Sequence, residues 1–167
     1  MLKGLVPFIK EEEIQSLCRQ MGEHLTADYA KLEPLLISPL KGSIFFLNQL
    51  VKHLDFKMHI DLVSIVKVEG HCHIRRDVSL PVEGKHVLIV EEIVDTGKKT
   101  HFLKERLLLA NPASVKVATL LNKNSRRIVP LQCDYIGKEI DDRFVVGFGM
   151  DADELGRNYK DIYMFAQ

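Results

Sequence analysis

Fourteen consecutive residues set the architecture of this chain: Val87-Leu88-Ile89-Val90-Glu91-Glu92-Ile93-Val94-Asp95-Thr96-Gly97-Lys98-Lys99-Thr100. The first four are apolar and form a run too short for a helix, which predicts a buried strand. Residues 91–99 begin with carboxylates and contain a glycine, which predicts a turn. Apolar residues at helical spacing follow, namely Phe102, Leu103, Leu107 and Leu108. The block therefore predicts a strand that leads through an acidic turn into a helix.

The turn in this block has side chains that suit a sugar phosphate. A glycine-containing loop at the start of a helix presents free backbone N–H groups and the positive end of the helix dipole, and both favour a phosphate. Hydroxyl and ammonium donors are supplied by Thr96, Lys98, Lys99 and Thr100. Glu91 and Glu92 only accept hydrogen bonds when ionised, so they suit the vicinal hydroxyls of a ribose. On residue types alone, an alternative is a structural turn in which Asp95 or Thr96 caps the helix.

The residues on either side of the block alternate between helix and strand patterns. Apolar spacing predicts helices at residues 11–32 and 46–54. Strands are predicted at residues 35–38, 58–68, 115–121, 134–136, 144–147 and 162–166. In the long strand at 58–68, Ile60, Leu62, Val66 and Val68 lie on one face. Strands interleaved with helices indicate a parallel α/β sheet, with right-handed crossovers and ligand-binding loops at the carboxyl ends of the strands.

Residues 69–84 interrupt this alternation. They contain two glycines, one proline and mixed charge without periodicity, so we expect an exposed excursion that can act as a lid. The segment includes His71-Cys72-His73, which has the residue types of a metal site. Adjacent residues cannot easily share one ion and no fourth ligand accompanies them, so we expect no metal there.

Length and composition narrow the class of protein. The 167 residues are 46% hydrophobic and 28% charged, which predicts a single globular domain over residues 1–167. Basic and acidic residues number 23 each, so we expect neither nucleic acid nor membrane as a partner, but a small molecule. Three distant cysteines and the absence of a signal sequence or a long apolar run predict a reducing, cytoplasmic location.

The fourteen-residue block resembles the phosphoribosyl pyrophosphate signature of the type I phosphoribosyltransferases. The order of the other motifs narrows the resemblance to the hypoxanthine-guanine phosphoribosyltransferase family. Residues 12–15 and 36–50, with Leu40-Lys41-Gly42, are similar to that family's first helix and pyrophosphate loop, and residues 142–158 resemble its purine-binding segment and the turn after it. The resemblance implies a central parallel sheet flanked by helices, with a core at about 30–140. It also implies a small hood subdomain from the amino-terminal residues and about 140–167.

The same resemblance implies an activity. The family transfers the 5-phosphoribosyl group from phosphoribosyl pyrophosphate to hypoxanthine or guanine with the help of Mg²⁺, giving IMP or GMP and pyrophosphate. Members of the family form homodimers or homotetramers. A xanthine-preferring enzyme is an alternative, because nothing in the sequence shows how the purine 2-position is recognised. A regulator that binds the phosphoribosyl group without turnover is another.

Individual roles in base recognition are also implied by the resemblance. Asp95 is the carboxylate that accepts or shares a proton near purine N7. Lys123 donates to the oxygen on C6, and because an ammonium has no acceptor it disfavours a 6-amino group. Phe144 stacks on the base and the backbone of Val145 contacts it. Without the family, Lys123 would be interpreted as a solvated charge and Phe144 as part of an ordinary buried strand.

The remaining roles concern the sugar, the phosphates and the metal. Ribose and phosphate are assigned to Glu91, Glu92, Thr96, Gly97, Lys98, Lys99 and Thr100. Lys41, Gly42 and Arg157 are assigned to pyrophosphate, and a cis peptide is expected between Leu40 and Lys41. Asp151 lies in the purine-binding segment and is the expected Mg²⁺ ligand, with Glu91 and Glu92 as possible further ligands.

Three features of the sequence depart from the family pattern. The family usually has Asp where this chain has Glu92, and Thr or Ser where it has Lys99. A Ser-Tyr pair after the long strand is replaced by Lys67-Val68. Because lid closure excludes water from such sites, the last change bears on hydrolysis and substrate affinity. These departures are what leave the regulator open as an alternative.

Overall fold

The computed structural model describes residues 3–166. Residues 1, 2 and 167 of the predicted domain therefore lie outside the described residues. The helices are α1 (Glu11–Tyr29), α2 (Ser43–Val51) and α3 (Lys98–Leu108), with a 3-10 turn at Asn124–Arg126. The strands are β1 (Leu5–Ile9), β2 (Leu35–Leu40), β3 (His59–Val68), β4 (His71–Arg76), β5 (His86–Val94), β6 (Ser114–Asn122), β7 (Tyr135–Glu139), β8 (Val145–Val146) and β9 (Ile162–Phe165).

The central sheet has six strands in the order β4-β3-β2-β5-β6-β7. Its strands are parallel except β4, which runs antiparallel along the β3 edge. The predicted parallel α/β sheet is therefore confirmed. In such a sheet the loops after neighbouring strands lie at one edge, and here the loops after β2, β5 and β6 do so.

Alternate residues of the inner strands face two hydrophobic clusters, one on each side of the sheet. Leu36 and Leu88 pack with residues of α1 and α2. Ile37 and Ile89 pack on the opposite side with Leu103 of α3. Because successive strand residues point to opposite faces, a strand covered on both sides must be apolar throughout. This double burial explains the unbroken apolar runs in the sequence.

The helices form because their apolar residues recur at the helical period. In α1 the buried Ile14, Cys18, Met21 and Leu25 lie on one face. Glu11 begins this helix, and its backbone N–H donates to Oδ1 of Asp161 at 2.9 Å. A carboxylate from the far end of the chain thus satisfies a free donor of the first turn.

Strand β5 continues further than the sequence predicts. Glu91, Ile93 and Val94 pair with β6 in register, so the expectation of a turn beginning at Glu91 is wrong. The turn starts only after Val94. Glu91 and Glu92 are therefore strand residues, because backbone pairing satisfies the main chain regardless of side-chain polarity.

Two predictions next to β3 also need correction. The buried residues of this strand are Asp61, Val63 and Ile65, whereas Ile60 and Val68 are about half exposed. The segment 69–84 is not wholly irregular, because its residues 71–76 form β4. Strand β4 pairs with β3 at the sheet edge, and its Cys72 and Ile74 pack against the hydrophobic cluster on the α3 side.

The second sheet has three antiparallel strands in the order β1-β9-β8. Strand β1 was not predicted, since its partner β9 lies at the other end of the chain. Strand β8 comprises only Val145 and Val146, shorter than the predicted residues 144–147. Among the described residues, no helix has the length and apolar character needed to cross a membrane.

Candidate functional site

The loops after β2, β5 and β6 bring most of the predicted site residues to one edge of the central sheet. Lys41 and Gly42 follow β2, Asp95 follows β5 and Lys123 follows β6. The carboxyl ends of parallel strands are where α/β sheets bind ligands. The segment that connects β8 and β9 of the second sheet adds Asp151, Arg157 and neighbouring residues.

A cavity of 170 Å³, named here the Lys123 cavity, lies at this edge. It is lined by Glu92, Ile93, Asp95, Lys123, Phe144, Val145, Met150 and Asp151. Lys123 is only 6% exposed, so the interpretation as a solvated surface charge is wrong. Phe144 is 59% exposed, so it is not part of an ordinary buried strand. An aromatic face and a buried ammonium thus border one small cavity.

Asp95 is held by cations rather than by a helix terminus. Its Oδ1 accepts from Nε of Arg126 at 2.8 Å, and its Oδ2 lies 4.0 Å from Nζ of Lys123. Its backbone oxygen accepts from Arg127 at 3.1 Å. The N-cap of α3 is Gly97, and no side chain bonds to the helix start. The alternative in which Asp95 or Thr96 caps the helix is therefore wrong.

A second and larger cavity of 370 Å³, named here the Gly97 cavity, adjoins the first. It is lined by Lys67, Ile93, Asp95, Thr96, Gly97, Lys98, Lys99, Thr100 and Arg126. The two cavities share Ile93 and Asp95. Gly97 has φ +82°, a conformation that glycine adopts without strain. Four cationic side chains and the amino terminus of α3 make this cavity suitable for an anion.

Glu91 does not face either cavity. It is fully buried. Its Oε1 accepts a hydrogen bond from Oγ1 of Thr100 at 3.1 Å, and its Oε2 lies 2.9 Å from Nζ of Lys99. Burial acts to lower the pKa of Lys99, but the carboxylates of Glu91 and Glu92 outweigh it and raise that pKa. The expected role of Glu91 in ribose binding therefore requires Lys99 to move.

Glu92 points away from Glu91, toward the loop after β2. Burial raises the pKa of Glu92 to about 7. Its Oε2 has no hydrogen-bond partner, although this oxygen is buried. A Cβ atom on Gly42 would lie 2.2 Å from Oε1 of Glu92 and 2.5 Å from the oxygen of Gly149. Only glycine fits at residue 42, because the loop passes so close to both groups.

The loop after β2 contacts the turn that follows β8. Nζ of Lys41 lies 2.7 Å from Oε2 of Glu154. Arg157 lies 2.7 Å from Oδ1 of Asp151 and 3.3 Å from the same Glu154 oxygen. The expected cis peptide between Leu40 and Lys41 is present. The predicted pyrophosphate residues Lys41 and Arg157 therefore lie close to one another, bridged by a carboxylate.

Sequence reasoning did not assign four charged residues of this region to the site: Lys67, Arg126, Arg127 and Glu154. Arg126 and Arg127 occur in a polar run with no pattern that pairs them with Asp95, which is 31 residues away from Arg126. Lys67 was noted only as a departure from the family. Charge alone is a weak signal, since most charged residues are solvated.

Comparison with known proteins identifies the family. The family model of the phosphoribosyl transferase domain matches residues 10–153 of this chain. The hypoxanthine-guanine phosphoribosyltransferase of Lactococcus lactis is 41% identical over 156 residues, which cover 90% of this chain and 85% of that protein. That of Streptococcus thermophilus is 35% identical over 154 residues, covering 89% and 86%.

The chain belongs to the hypoxanthine-guanine phosphoribosyltransferase family. Solved structures agree with this assignment. A hypoxanthine-guanine phosphoribosyltransferase from Bacillus anthracis superposes with a TM-score of 0.92 at 34% identity, covering 97% of each chain. A hypoxanthine phosphoribosyltransferase from Staphylococcus aureus gives a TM-score of 0.94 at 34% identity, covering 98% of this chain and 92% of that one. The family and fold expected from the sequence motifs are both confirmed.

Proposed function

We propose that this phosphoribosyltransferase family member transfers the 5-phosphoribosyl group of phosphoribosyl pyrophosphate to hypoxanthine or guanine, a purine salvage reaction that releases pyrophosphate. The observation that supports this most directly is the pairing of two adjoining cavities. One contains a buried ammonium and a carboxylate beside an aromatic ring, and the other is a cationic loop at a helix amino terminus. The names of the relatives support the enzyme over the regulator.

The Lys123 cavity is suited to a 6-oxopurine. The ammonium of Lys123 donates to the oxygen on C6, whereas a 6-amino group would present another donor and leave both groups unpaired. The exposed ring of Phe144 stacks on the base, and the backbone of Val145 contacts its edge. Selection of the base thus depends on a single buried charge.

Asp95 lies where the two cavities meet, beside the position at which the new bond forms. As purine N9 bonds to ribose C1, the bond from C1 to pyrophosphate breaks and its electron pair leaves with pyrophosphate. The carboxylate of Asp95 accepts or shares the proton near N7 of the base. Arg126 fixes the orientation of this carboxylate through its 2.8 Å contact.

The sugar phosphate occupies the Gly97 cavity in this proposal. The 5-phosphate accepts hydrogen bonds from backbone N–H groups of residues 96–100 and pairs with the ammonium groups of Lys98 and Lys99. Glu92 lines the Lys123 cavity and accepts from a ribose hydroxyl, and Glu91 becomes available once Lys99 turns to the phosphate. The departing pyrophosphate lies against Gly42, Lys41 and Arg157.

Magnesium fits the donor chemistry of this site. Among residues 3–166 no cluster of three metal-ligating side chains exists, so an ion would depend on substrate oxygens and water as well, as Mg²⁺ commonly does. Asp151 lines the Lys123 cavity, and Glu92 contributes a buried carboxylate oxygen without a partner. Bound to these oxygens, Mg²⁺ would neutralise charge on the pyrophosphate.

A base panel tests the proposal. The protein is mixed with phosphoribosyl pyrophosphate, Mg²⁺ and each of hypoxanthine, guanine, xanthine and adenine, and the nucleotide formed is measured. Product is expected from the first two. Asp95→Asn should reduce turnover by about 10²- to 10⁴-fold, whereas Asp142→Asn, which removes the other carboxylate partner of Arg126, should not.

Other results of the panel identify the alternatives. Greater turnover of xanthine than of hypoxanthine would assign the xanthine-preferring activity. Binding of phosphoribosyl pyrophosphate without product from any base would assign the regulator. A homodimer or homotetramer and a cytoplasmic location complete the proposal, and light scattering and cell fractionation measure them.

A further inference from the structure

We infer that Glu154 is an internal competitor of pyrophosphate, which sets how tightly the site holds this anion. The inference rests on the proposed function, because that proposal assigns pyrophosphate to Lys41 and Arg157. In the structure both cations contact one atom, Oε2 of Glu154, at 2.7 Å and 3.3 Å. A carboxylate oxygen therefore lies between the two cations where a phosphate oxygen of the leaving group would lie.

The geometry of the turn supports a displaceable contact. The Glu154 side chain is 64% exposed and the Lys41 side chain is 68% exposed. Ion pairs in such a solvated position hold weakly, so a more highly charged anion can replace the carboxylate. Neighbouring cations lower the pKa of Glu154, chiefly through the Lys41 contact. It is therefore a charged competitor at neutral pH.

Asp151 does not serve the same purpose. Its Oδ2 accepts the backbone N–H of Glu154 at 2.9 Å, while Oδ1 faces Arg157 at 2.7 Å. It does not contact Lys41, so displacing it would not free both cations. Asp153 and Glu154 have φ of +51° and +65°, and this left-handed pair directs the turn so that Glu154 reaches across to the loop after β2.

The inference predicts that removing the charge strengthens pyrophosphate binding. Binding of inorganic pyrophosphate, with Mg²⁺ in fixed excess, is measured by titration calorimetry for the parent protein and for Glu154→Gln. Loss of a solvated two-cation contact should tighten binding by about three- to tenfold. Slower pyrophosphate release and a lower Ki for pyrophosphate in the transfer assay should accompany this gain.

Two further variants isolate the contact. Glu33→Gln removes the same charge from an exposed ion pair with Lys57, away from the site, and corrects for a general effect of net charge. In a Lys41→Met background the gain from Glu154→Gln should shrink, because one of the two competing contacts is already lost. Glu154→Ala gives a second measure should the glutamine itself bond to Lys41.

Opposite results distinguish this role from a structural one. If Glu154 merely holds Lys41 and Arg157 in place, both Glu154 variants bind pyrophosphate as weakly as the parent or more weakly, and the inference is overturned. Absence of binding to parent and variants alike overturns it too. Calorimetry needs no turnover, so failure of the base panel would leave these binding results interpretable and would count against the proposed function alone.

Discussion

The ammonium nitrogen of Lys123 lies 4.0 Å from Oδ2 of Asp95. Lys123 directly follows β6 and Asp95 directly follows β5. The two residues meet only because these strands are neighbours in the sheet. Both residues line the Lys123 cavity, where the proposed function has one group donate to the base and the other accept from it. In that proposal, this pair connects recognition of the base with the transfer step.

Replacing Lys123 by methionine should weaken use of hypoxanthine. The variant keeps a side chain of similar length in the 6% exposed site but has no donor for the 6-oxygen. Loss of a hydrogen bond from a charged group should raise KM for hypoxanthine by about 10- to 100-fold, as measured by initial rates. Lys138→Met, which removes the ion pair between Lys138 of β7 and Glu13 of α1, serves as the control. An unchanged KM would contradict the role given to Lys123.

Phe144→Ala should reduce affinity for the base with little effect on phosphoribosyl pyrophosphate. The ring is exposed and contacts Phe165 at 5.8 Å between centroids, so its removal leaves the core intact. The lost stacking should raise KM for the base by about three- to tenfold. Leu109→Ala, at an 81% exposed position far along the chain, should leave both KM values unchanged. Equal loss for both substrates would indicate general disruption instead.

Lys99→Thr should destabilise the protein, although threonine is what the family usually has there. The change leaves the fully buried Glu91 without the ammonium that lies 2.9 Å away. Breaking a buried ion pair costs more than breaking a surface pair, and with Lys99 one-third exposed at 32% we expect about 1–3 kcal/mol. Urea unfolding measures this loss. The exposed neighbour gives the matched control, since Lys98→Thr should change stability by less than about 0.5 kcal/mol.

Glu92 should make stability fall as pH rises. Its pKa is raised from 4.5 to about 7 by burial, so the folded protein retains a proton that the unfolded chain has lost. The stabilisation is fully present below pH 4.5 and is lost as the pH rises through about 7. Glu92→Gln removes this dependence, so the parent should lose about 2–3 kcal/mol relative to the variant across that range.

Thermal unfolding of the parent and Glu92→Gln between pH 5 and pH 8, with EDTA present, measures the difference. Curves that remain parallel over this range would show that Glu92 titrates normally in the folded protein. The EDTA keeps trace metal ions from pairing with the carboxylate and masking its titration.

Local sequence was sufficient for much of the fold. The run Val87–Val90 predicted a central strand, and the spacing of Phe102, Leu103 and Leu107 predicted α3, because burial on both faces or on one helix face leaves a local pattern. Helix α1 was predictable for the same reason, and the parallel arrangement of the strands followed from their alternation with helices along the chain. Strand β1 was not, since a pairing between the two ends of the chain leaves no local pattern.

The candidate site likewise has features that the sequence predicts and features that only the folded chain shows. Residue chemistry alone indicated a phosphate-binding turn around Gly97, because a glycine loop at a helix start is recognisable locally. The roles of Asp95, Lys123 and Phe144 came only from the resemblance of the ordered motifs to the family. The folded chain alone determined which of these groups are already occupied. Lys99 pairs with Glu91, and Arg126 holds Asp95. Such contacts join residues from separate loops, and their distances depend on strand register and on the path of each turn, which no local pattern encodes.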